Sequence, residues 1–436
     1  MRDVVVVGGG IAGLAAAWSL RDLDVLVLEA AERVGGRIRS ERRGRYWLNL
    51  GAHVFAGPGS ATDRLLRETG VEAADVPGTL TAVELGGRVV ARGRVETYPF
   101  RLPLSAPDRL ALARAGMRLR FGVARYGRVQ RGGEERVLAH LGDRSFADWL
   151  GRVAPAVDAV LRPTLQRSSA EPEELAAGYA IGYFHLVWDR SGGLARNILG
   201  GPSTLAETIA EALGARVRLG ARVAEVTARA GEIRVVDEAG REERARFAVV
   251  ATPAHVTRTI VGGLPGETRA ALGELAYGPY VVAAFRTGET EPMPWDGIYA
   301  VATARRSFNM LFNTANVLRT RGGRRTPGGS LMVYSGAGLA RRLWDVDDAG
   351  VTATYLDDLD RAFPGAARLV EETVIQRWEH GLPYVRPGRH RIQRALERPL
   401  GDVFLAGDYL GTRYTDTAIA TGTAAATAIR SRLASR

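Results

Sequence analysis

The 436-residue chain contains no cysteine and no lysine. Without thiols there are no disulfides, no thiolate metal sites and no covalent attachment of a group through cysteine. The absence by itself assigns no compartment. Without lysine, all 59 basic residues are arginine, and the formal net charge is +11. A basic balance suits nucleic acid, membrane surfaces or acidic small molecules. The arginines are dispersed and no nucleic-acid-binding module is recognisable, so no nucleic-acid partner is expected. The six histidines make no spaced ligand pair, so no metal site is expected. No nucleophile-elbow sequence occurs. No run of about 18 apolar residues is present, so no spanning helix is expected. Hydrophobic residues make up 46% of the chain, enough for two or three domains with substantial cores.

What is present is concentrated at the beginning. Val4 to Val7 are four valines in a row, the signature of a strand buried on both faces. Gly8, Gly10 and Gly13 follow in G-x-G-x-x-G spacing, then an Ala-rich helix from Leu14 to Leu20. A second apolar run, Val25 to Leu28, ends in Glu29. This is a βαβ unit with a dinucleotide-binding fingerprint. Gly8 permits the tight turn, Gly10 lets a pyrophosphate approach the backbone, and Gly13 lets the helix lie close on the strand. The helix start, Ile11 and Ala12, offers free N–H groups and a partial positive charge to phosphates. Glu29, with Ala30 beside it, is placed to accept hydrogen bonds from ribose hydroxyls. Because the motif starts at Asp3, no cleavable leader is expected ahead of it, and a cytoplasmic location is the default.

Arg33, Gly35, Gly36 and Arg37 continue the motif as E-x-x-x-R-x-G-G-R. This resembles the second glycine motif of the flavin amine oxidase superfamily, which includes monoamine and polyamine oxidases, protoporphyrinogen oxidases and carotenoid desaturases. The resemblance implies FAD, and the absence of cysteine excludes a cysteinyl flavin bond, so non-covalent FAD is expected. The arginines can neutralise pyrophosphate charge bidentately. Leu48 to Ala52, Leu-x-Leu-Gly-Ala, resembles the stretch that returns to the isoalloxazine ring. Gly51 and Ala52 lack bulk there, and His53 reads equally as a flavin or substrate contact and as a structural histidine. Val223 matches a valine whose backbone contacts the adenine. Phe247 to Ala254 reads as a buried strand that passes the adenosine.

Two late motifs resemble the protoporphyrinogen oxidase branch most. Arg377 to Tyr384 reads RWEHGLPY, similar to an R-W-x-x-x-x-P segment that packs near the flavin, with Trp378 as the contact and Tyr384 where a glutamine is usual. Val403 to Gly422 carries Gly407 and Asp408, then a loop and a small-residue helix. The resemblance implies that Asp408 serves the ribityl chain or phosphates. Thr415 or Asp416 is expected to cap the last helix. Free N–H groups at Thr417, Ala418 and Ile419 are then expected to face the flavin N1 and C2 carbonyl. The lysine that holds a water near flavin N5 in common amine oxidases has no counterpart. Tyr409 and Tyr414 can form an aromatic wall. His53, Tyr384 and Tyr414, with Arg413 and Asn313, are the candidate catalytic residues.

The implied fold is α/β: a Rossmann-like FAD-binding domain assembled from both chain ends, with an α+β substrate domain of helices and an antiparallel sheet. The expected division is 1–74, 196–275 and 371–436 for FAD, with 75–195 and 276–370 for substrate. Thr62 to Gly70 and Pro107 to Gly127 are helix candidates. The second places Arg114, Arg118 and Arg125 opposite Leu112, Leu119 and Val123. Such a helix suits a solvated face better than a membrane surface. Tyr179, Tyr183, Phe184, His185 and Trp188 fit a cavity lining or a core helix equally. Ser203 reads as an N-cap. The implied reaction removes a hydride from a C–N or C–C bond of an apolar or nitrogen-containing small molecule, with oxygen or another acceptor reoxidising the flavin. A redox-neutral isomerase or mutase and a carotenoid-type desaturase are the alternatives.

Overall fold

A computed structural model describes residues 1–188, 194–229, 231–319 and 326–435. Its first sheet has seven strands. Arg2–Val7 lies at its centre, parallel to Val25–Leu28 on one side and to Glu242–Val250 on the other, with Val4 opposite Val25 and Phe247. Val403–Leu405 adds in parallel beside the end of Glu242–Val250. The strands Val223–Arg229 and Glu232–Asp237 extend the sheet as an antiparallel hairpin. Strand side chains alternate between faces. Val4 and Val6 therefore enter one core with Leu14 and Ile429, while Val5 and Val7 enter another with Val226 and Val235. Four consecutive valines are needed because both faces are covered.

The chain ends meet through two helices, Ile11–Ser19 and Thr415–Ala434. Small residues permit close approach: a Cβ on Gly422 would stand 2.1 Å from the Ala12 carbonyl oxygen. The first helix begins at Ile11, earlier than the apolar pattern alone indicates, because Gly10 terminates the turn in an extended conformation.

The second sheet also has seven strands, in the order Val370–Tyr384, Ala276–Thr287, Gly329–Gly336, Met310–Asn313, Ala300–Thr303, Ala82–Leu85 and Arg88–Val90. All neighbours are antiparallel except Ala82–Leu85 and Ala300–Thr303. Val281, Ala283, Phe285, Leu331 and Val333 face the helix Asp348–Ala362. The alternate residues Val282, Met332, Tyr334, Met310, Phe312 and Ala300 face the other way, into the cavities described below. The strand Val370–Tyr384 corrects the expected boundary at residue 371. It pairs along Ala276–Thr287 and belongs to the second sheet, not to the first.

The helix Ala106–Gln130 buries Leu112, Ala115, Leu119, Val123 and Tyr126, as its pattern indicates, while Met117 and Phe121 stay exposed. The helix Ser203–Leu213 starts one residue earlier than expected, with Pro202 at the N-cap position, so Ser203 does not cap it. Its Oγ instead accepts from Ser40 N–H at 2.8 Å, tying this helix to the strand Ser40–Arg43. Among the described residues, no helix is long and apolar enough to cross a membrane.

Candidate active site

The candidate nucleotide cradle is built from backbone. Gly8 holds φ at +105°, and a Cβ there would meet Ala251 oxygen at 2.9 Å. A Cβ on Gly13 would stand only 2.0 Å from Gly8 oxygen. Gly10 differs: a Cβ there would meet no protein atom within 4 Å. Its missing side chain is explained by no protein contact, and the space in front of it is open. The first internal bond of the helix Ile11–Ser19 runs from Leu14 N–H to Gly10 oxygen. The amides of Ile11, Ala12 and Gly13 precede that bond, and no acidic side chain occupies the first turn. This is the donor set for an anion. Glu29 accepts from Gly9 N–H at 2.6 Å and Ala31 N–H at 2.8 Å. Each of its oxygens is thus fixed and retains a lone pair for a hydroxyl. Ala221 N–H donates to the Glu29 backbone carbonyl, which brings Val223 alongside. These features fit the adenosine and pyrophosphate of FAD.

The second glycine motif docks on the first. Gly35 N–H donates to Gly9 oxygen at 2.8 Å. Arg33 donates to the carbonyls of Gly36 and Val34, so it braces its own loop. Arg37 reaches across the chain to Asp408, with Nη2 2.8 Å from Oδ1, and donates to Gly381 oxygen at 3.2 Å. This pair joins residues 371 positions apart and places Gly10 and Asp408 in one region.

At the last helix, two expectations are corrected. Neither Thr415 nor Asp416 caps it; Tyr414 stands at the N-cap with φ +54° and no side-chain bond. The Asp416 carboxylate instead accepts from Thr62 N–H and Oγ1, both at 2.9 Å, and so adds an acceptor to the first turn of the helix Ala61–Thr69, which Ser60 caps. The Thr417 and Ala418 amides are bonded to Arg413 and Tyr414 oxygens, at 3.5 and 3.1 Å. They are therefore not free donors, and Ile419 lies within the regular helix. The helix end can act on a ligand through its dipole.

Beside this junction lies a cavity of about 170 Å³. Gly51, Ala52, His53, Trp378, Tyr414 and Thr415 line it, together with Arg37. Trp378 Nε1–H donates to Leu50 oxygen at 2.6 Å, fixing the indole against the Leu-x-Leu-Gly-Ala stretch. His53 is 7% exposed. Its Nδ1 lies 3.2 Å from Gly51 oxygen, and Phe312 packs edge-on at 4.5 Å. Burial pushes its pKa down to about 4, so the ring is neutral near pH 7. A neutral ring that donates through Nδ1 presents Nε2 as an acceptor, and Nε2 has no partner. A second cavity, about 350 Å³ and mostly apolar, shares Val54, Arg167, Tyr183 and Phe312 with the first. Tyr183, Phe184, Val187 and Trp188 line it, whereas Tyr179 is core, its hydroxyl 3.1 Å from that of Tyr183.

The structure therefore gathers His53 and Tyr414 with the flavin-contact candidates and leaves others outside. Tyr384 does not line the cavity; it packs with Leu175 and Ala176 in the helical core. Asn313 donates to Trp295 oxygen at 3.1 Å and is spent on the second sheet. Arg377 points away, toward Asp348 and Trp344 oxygen. Arg413 lines neither cavity. Tyr409 is buried in the core beneath the nucleotide sheet, so it forms no wall with Tyr414. Sequence reading missed Arg167, Tyr280 and Tyr334. The alternation of Tyr280 with Val281, and of Tyr334 with Val333, carried the signal for the tyrosines. Arg167 had none among 59 arginines.

Comparison with known proteins agrees with this geometry. The model of the flavin containing amine oxidoreductase family matches residues 11–430. AofH of Mycobacterium tuberculosis, named for a flavin-containing monoamine oxidase, is 30% identical over 267 residues, 58% of this chain. That match spans 57% of the relative's length. Human amine oxidase [flavin-containing] B is 41% identical over 104 residues, 23% of this chain and 19% of its own. Among solved structures, putrescine oxidase bound to putrescine superimposes with a TM-score of 0.80 at 23% identity, covering 99% of both chains. Cyclohexylamine oxidase from Brevibacterium oxydans gives 0.80 at 22%, again over 99% of both. A structure named for protoporphyrinogen oxidase, from Exiguobacterium, gives 0.72 at 18%, over 100% of this chain and 99% of its own. These three show a shared fold. With nearly its whole length matched by the family model, the chain belongs to the flavin-containing amine oxidoreductase family.

Proposed function

We propose that the protein holds FAD without a covalent bond and uses it to oxidise the C–N bond of an apolar small molecule. The observation that carries this is the meeting of both chain ends at Arg37 and Asp408, directly beside a cavity walled by Trp378 and Tyr414. Bound FAD would supply a two-electron acceptor: the substrate carbon gives up a hydride and its nitrogen a proton, leaving an imine, and oxygen or another acceptor removes the electrons. The chain's own residues bind and orient. Ile11, Ala12 and Gly13 amides take the pyrophosphate, and Glu29 takes the ribose hydroxyls. The positive end of the helix Thr415–Ala434 favours negative charge on a ligand in front of it. Trp378 and Tyr414 form the walls against which a flat or apolar substrate is held. His53, being neutral, offers Nε2 as a hydrogen-bond acceptor to a substrate N–H rather than serving as a strong base.

The test is anaerobic mixing of the flavin-loaded protein with amines, porphyrinogens and polyenes, followed by oxygen. Bleaching with an amine and recovery on reoxidation support the reading. Product formation without net bleaching would establish a redox-neutral reaction instead.

A further inference from the structure

Arg167 is the one charged residue, among the described residues, that lines both cavities. It follows the helix Pro155–Gln166 as its C-cap, and its carbonyl accepts a hydrogen bond from Tyr280. The backbone beneath it is tightly packed: a Cβ on Gly278 would meet Ser169 oxygen at 2.0 Å. The guanidinium therefore rises into the cavities from a fixed anchor. Arg37 meets Asp408, Arg306 meets Glu84 and Arg319 meets Glu289, while the buried Arg389 donates to Tyr409 carbonyl oxygen and lines neither cavity. Arg167 forms no ion pair among the described residues. The groups facing it are the phenols of Tyr334, Tyr414 and Tyr183. Burial raises the pKa of each of these phenols, so all three are neutral: Tyr334 accepts a hydrogen bond from the guanidinium, but none carries a balancing charge. The neighbouring His53 is neutral as well.

A cation desolvated among apolar and neutral groups is costly unless a ligand completes it. A guanidinium pairs best with a planar carboxylate, through two parallel hydrogen bonds. We infer that the substrate is an apolar molecule bearing a carboxylate, which pairs with Arg167 at the junction of the two cavities. Its apolar body lies in the larger chamber among Leu112, Phe184, Val187 and Trp188. Its oxidised carbon lies in the smaller cavity, between Trp378 and Tyr414. This rests on the reading of the cavity as the substrate site. It turns that reading away from simple amines, whose ammonium groups Arg167 repels.

Calorimetry on the purified protein with 3-phenylpropanoate and its methyl ester tests the inference. The acid is expected to bind at least about tenfold more tightly than the ester. Arg167→Met is expected to abolish that difference, and Arg167→Lys to retain part of it. Equal binding of acid and ester by the wild type overturns the inference without any variant. So does an Arg167→Met protein, folded by circular dichroism, that keeps the preference. A second arm compares phenylalanine with phenethylamine in anaerobic flavin reduction. The amino acid is expected to reduce at least about tenfold more efficiently, and preference for the amine overturns the inference. Failure to take up flavin would instead strike the functional reading, since the calorimetric arm needs no flavin.

Discussion

Two glycines three residues apart make opposite predictions. Gly10 has an ordinary extended backbone, φ −68° and ψ 170°, and a Cβ there would touch nothing. Alanine is a poorer N-cap, a loss of up to about 1 kcal/mol. Restricting the unfolded chain restores about 0.4–1 kcal/mol. The net effect of Gly10→Ala on the flavin-free protein is therefore within about 1 kcal/mol, or roughly 2 °C in Tm. Gly13→Ala places a methyl 2.0 Å from Gly8 oxygen. Alanine gains about 1 kcal/mol of helix propensity there. The helix must nevertheless move off the strand, and overpacking of that kind costs about 3 kcal/mol or more. With flavin the order changes. The Gly10→Ala methyl fills the space through which the pyrophosphate reaches the amides. Loss of charge-assisted bonds weakens FAD by at least about 100-fold, or roughly 2.7 kcal/mol. The assays are thermal denaturation of the flavin-free proteins and quenching of flavin fluorescence on titration. The reasoning is refuted if Gly10→Ala binds FAD like the wild type, or if it melts as early as Gly13→Ala.

Three further outcomes follow from the same structure. His53 has a folded-state pKa depressed from 6.5 to about 4 by burial. The unfolded chain takes up the proton first, so stability falls as pH drops from 6.5 toward 4, by about 3 kcal/mol in all. His53→Phe should remove this dependence, and parallel pH–stability curves for the two proteins would contradict the assignment. Asp416→Ala should lower stability by about 1–2 kcal/mol, because it leaves Thr62 N–H and Oγ1 without their acceptor in the first turn of a helix that Ser60 still caps. It should leave FAD affinity within about twofold; a large loss of affinity would show a direct contact. Tyr384→Phe should leave the rate of anaerobic flavin reduction within about twofold, whereas Trp378→Ala, which removes a cavity wall, should slow it at least about tenfold. The opposite ranking would restore Tyr384 to the site.

The backbone geometry of the glycine turn was legible because its spacing is dictated by sterics. Gly8 needs a positive φ, Gly13 has no room for a Cβ, and Glu29 must follow the second strand to reach Gly9 N–H. Local sequence carries such constraints. The last helix was legible in extent but not in its capping, because Asp416 is used by a partner 354 residues away. Ser203 misled for the same reason, with its hydroxyl spent on Ser40. The boundary at residue 371 failed because an apolar strand does not state which sheet it joins; the pairing of Val370–Tyr384 with Ala276–Thr287 decides it. Tyr384 was drawn in by its motif position, yet six residues along an extended strand carry it beyond the cavity that Trp378 lines. Arg167 is recognisable only once it is seen to line both cavities with no ion pair among the described residues.

The central claim is that both chain ends together bind FAD, and flavin release tests it most directly. The protein purified with excess FAD, freed of unbound flavin and then denatured and filtered, should release about one FAD per chain into the filtrate, and Gly10→Ala should release little. A colourless protein that takes up no flavin, or a flavin that stays with the denatured chain, would contradict it.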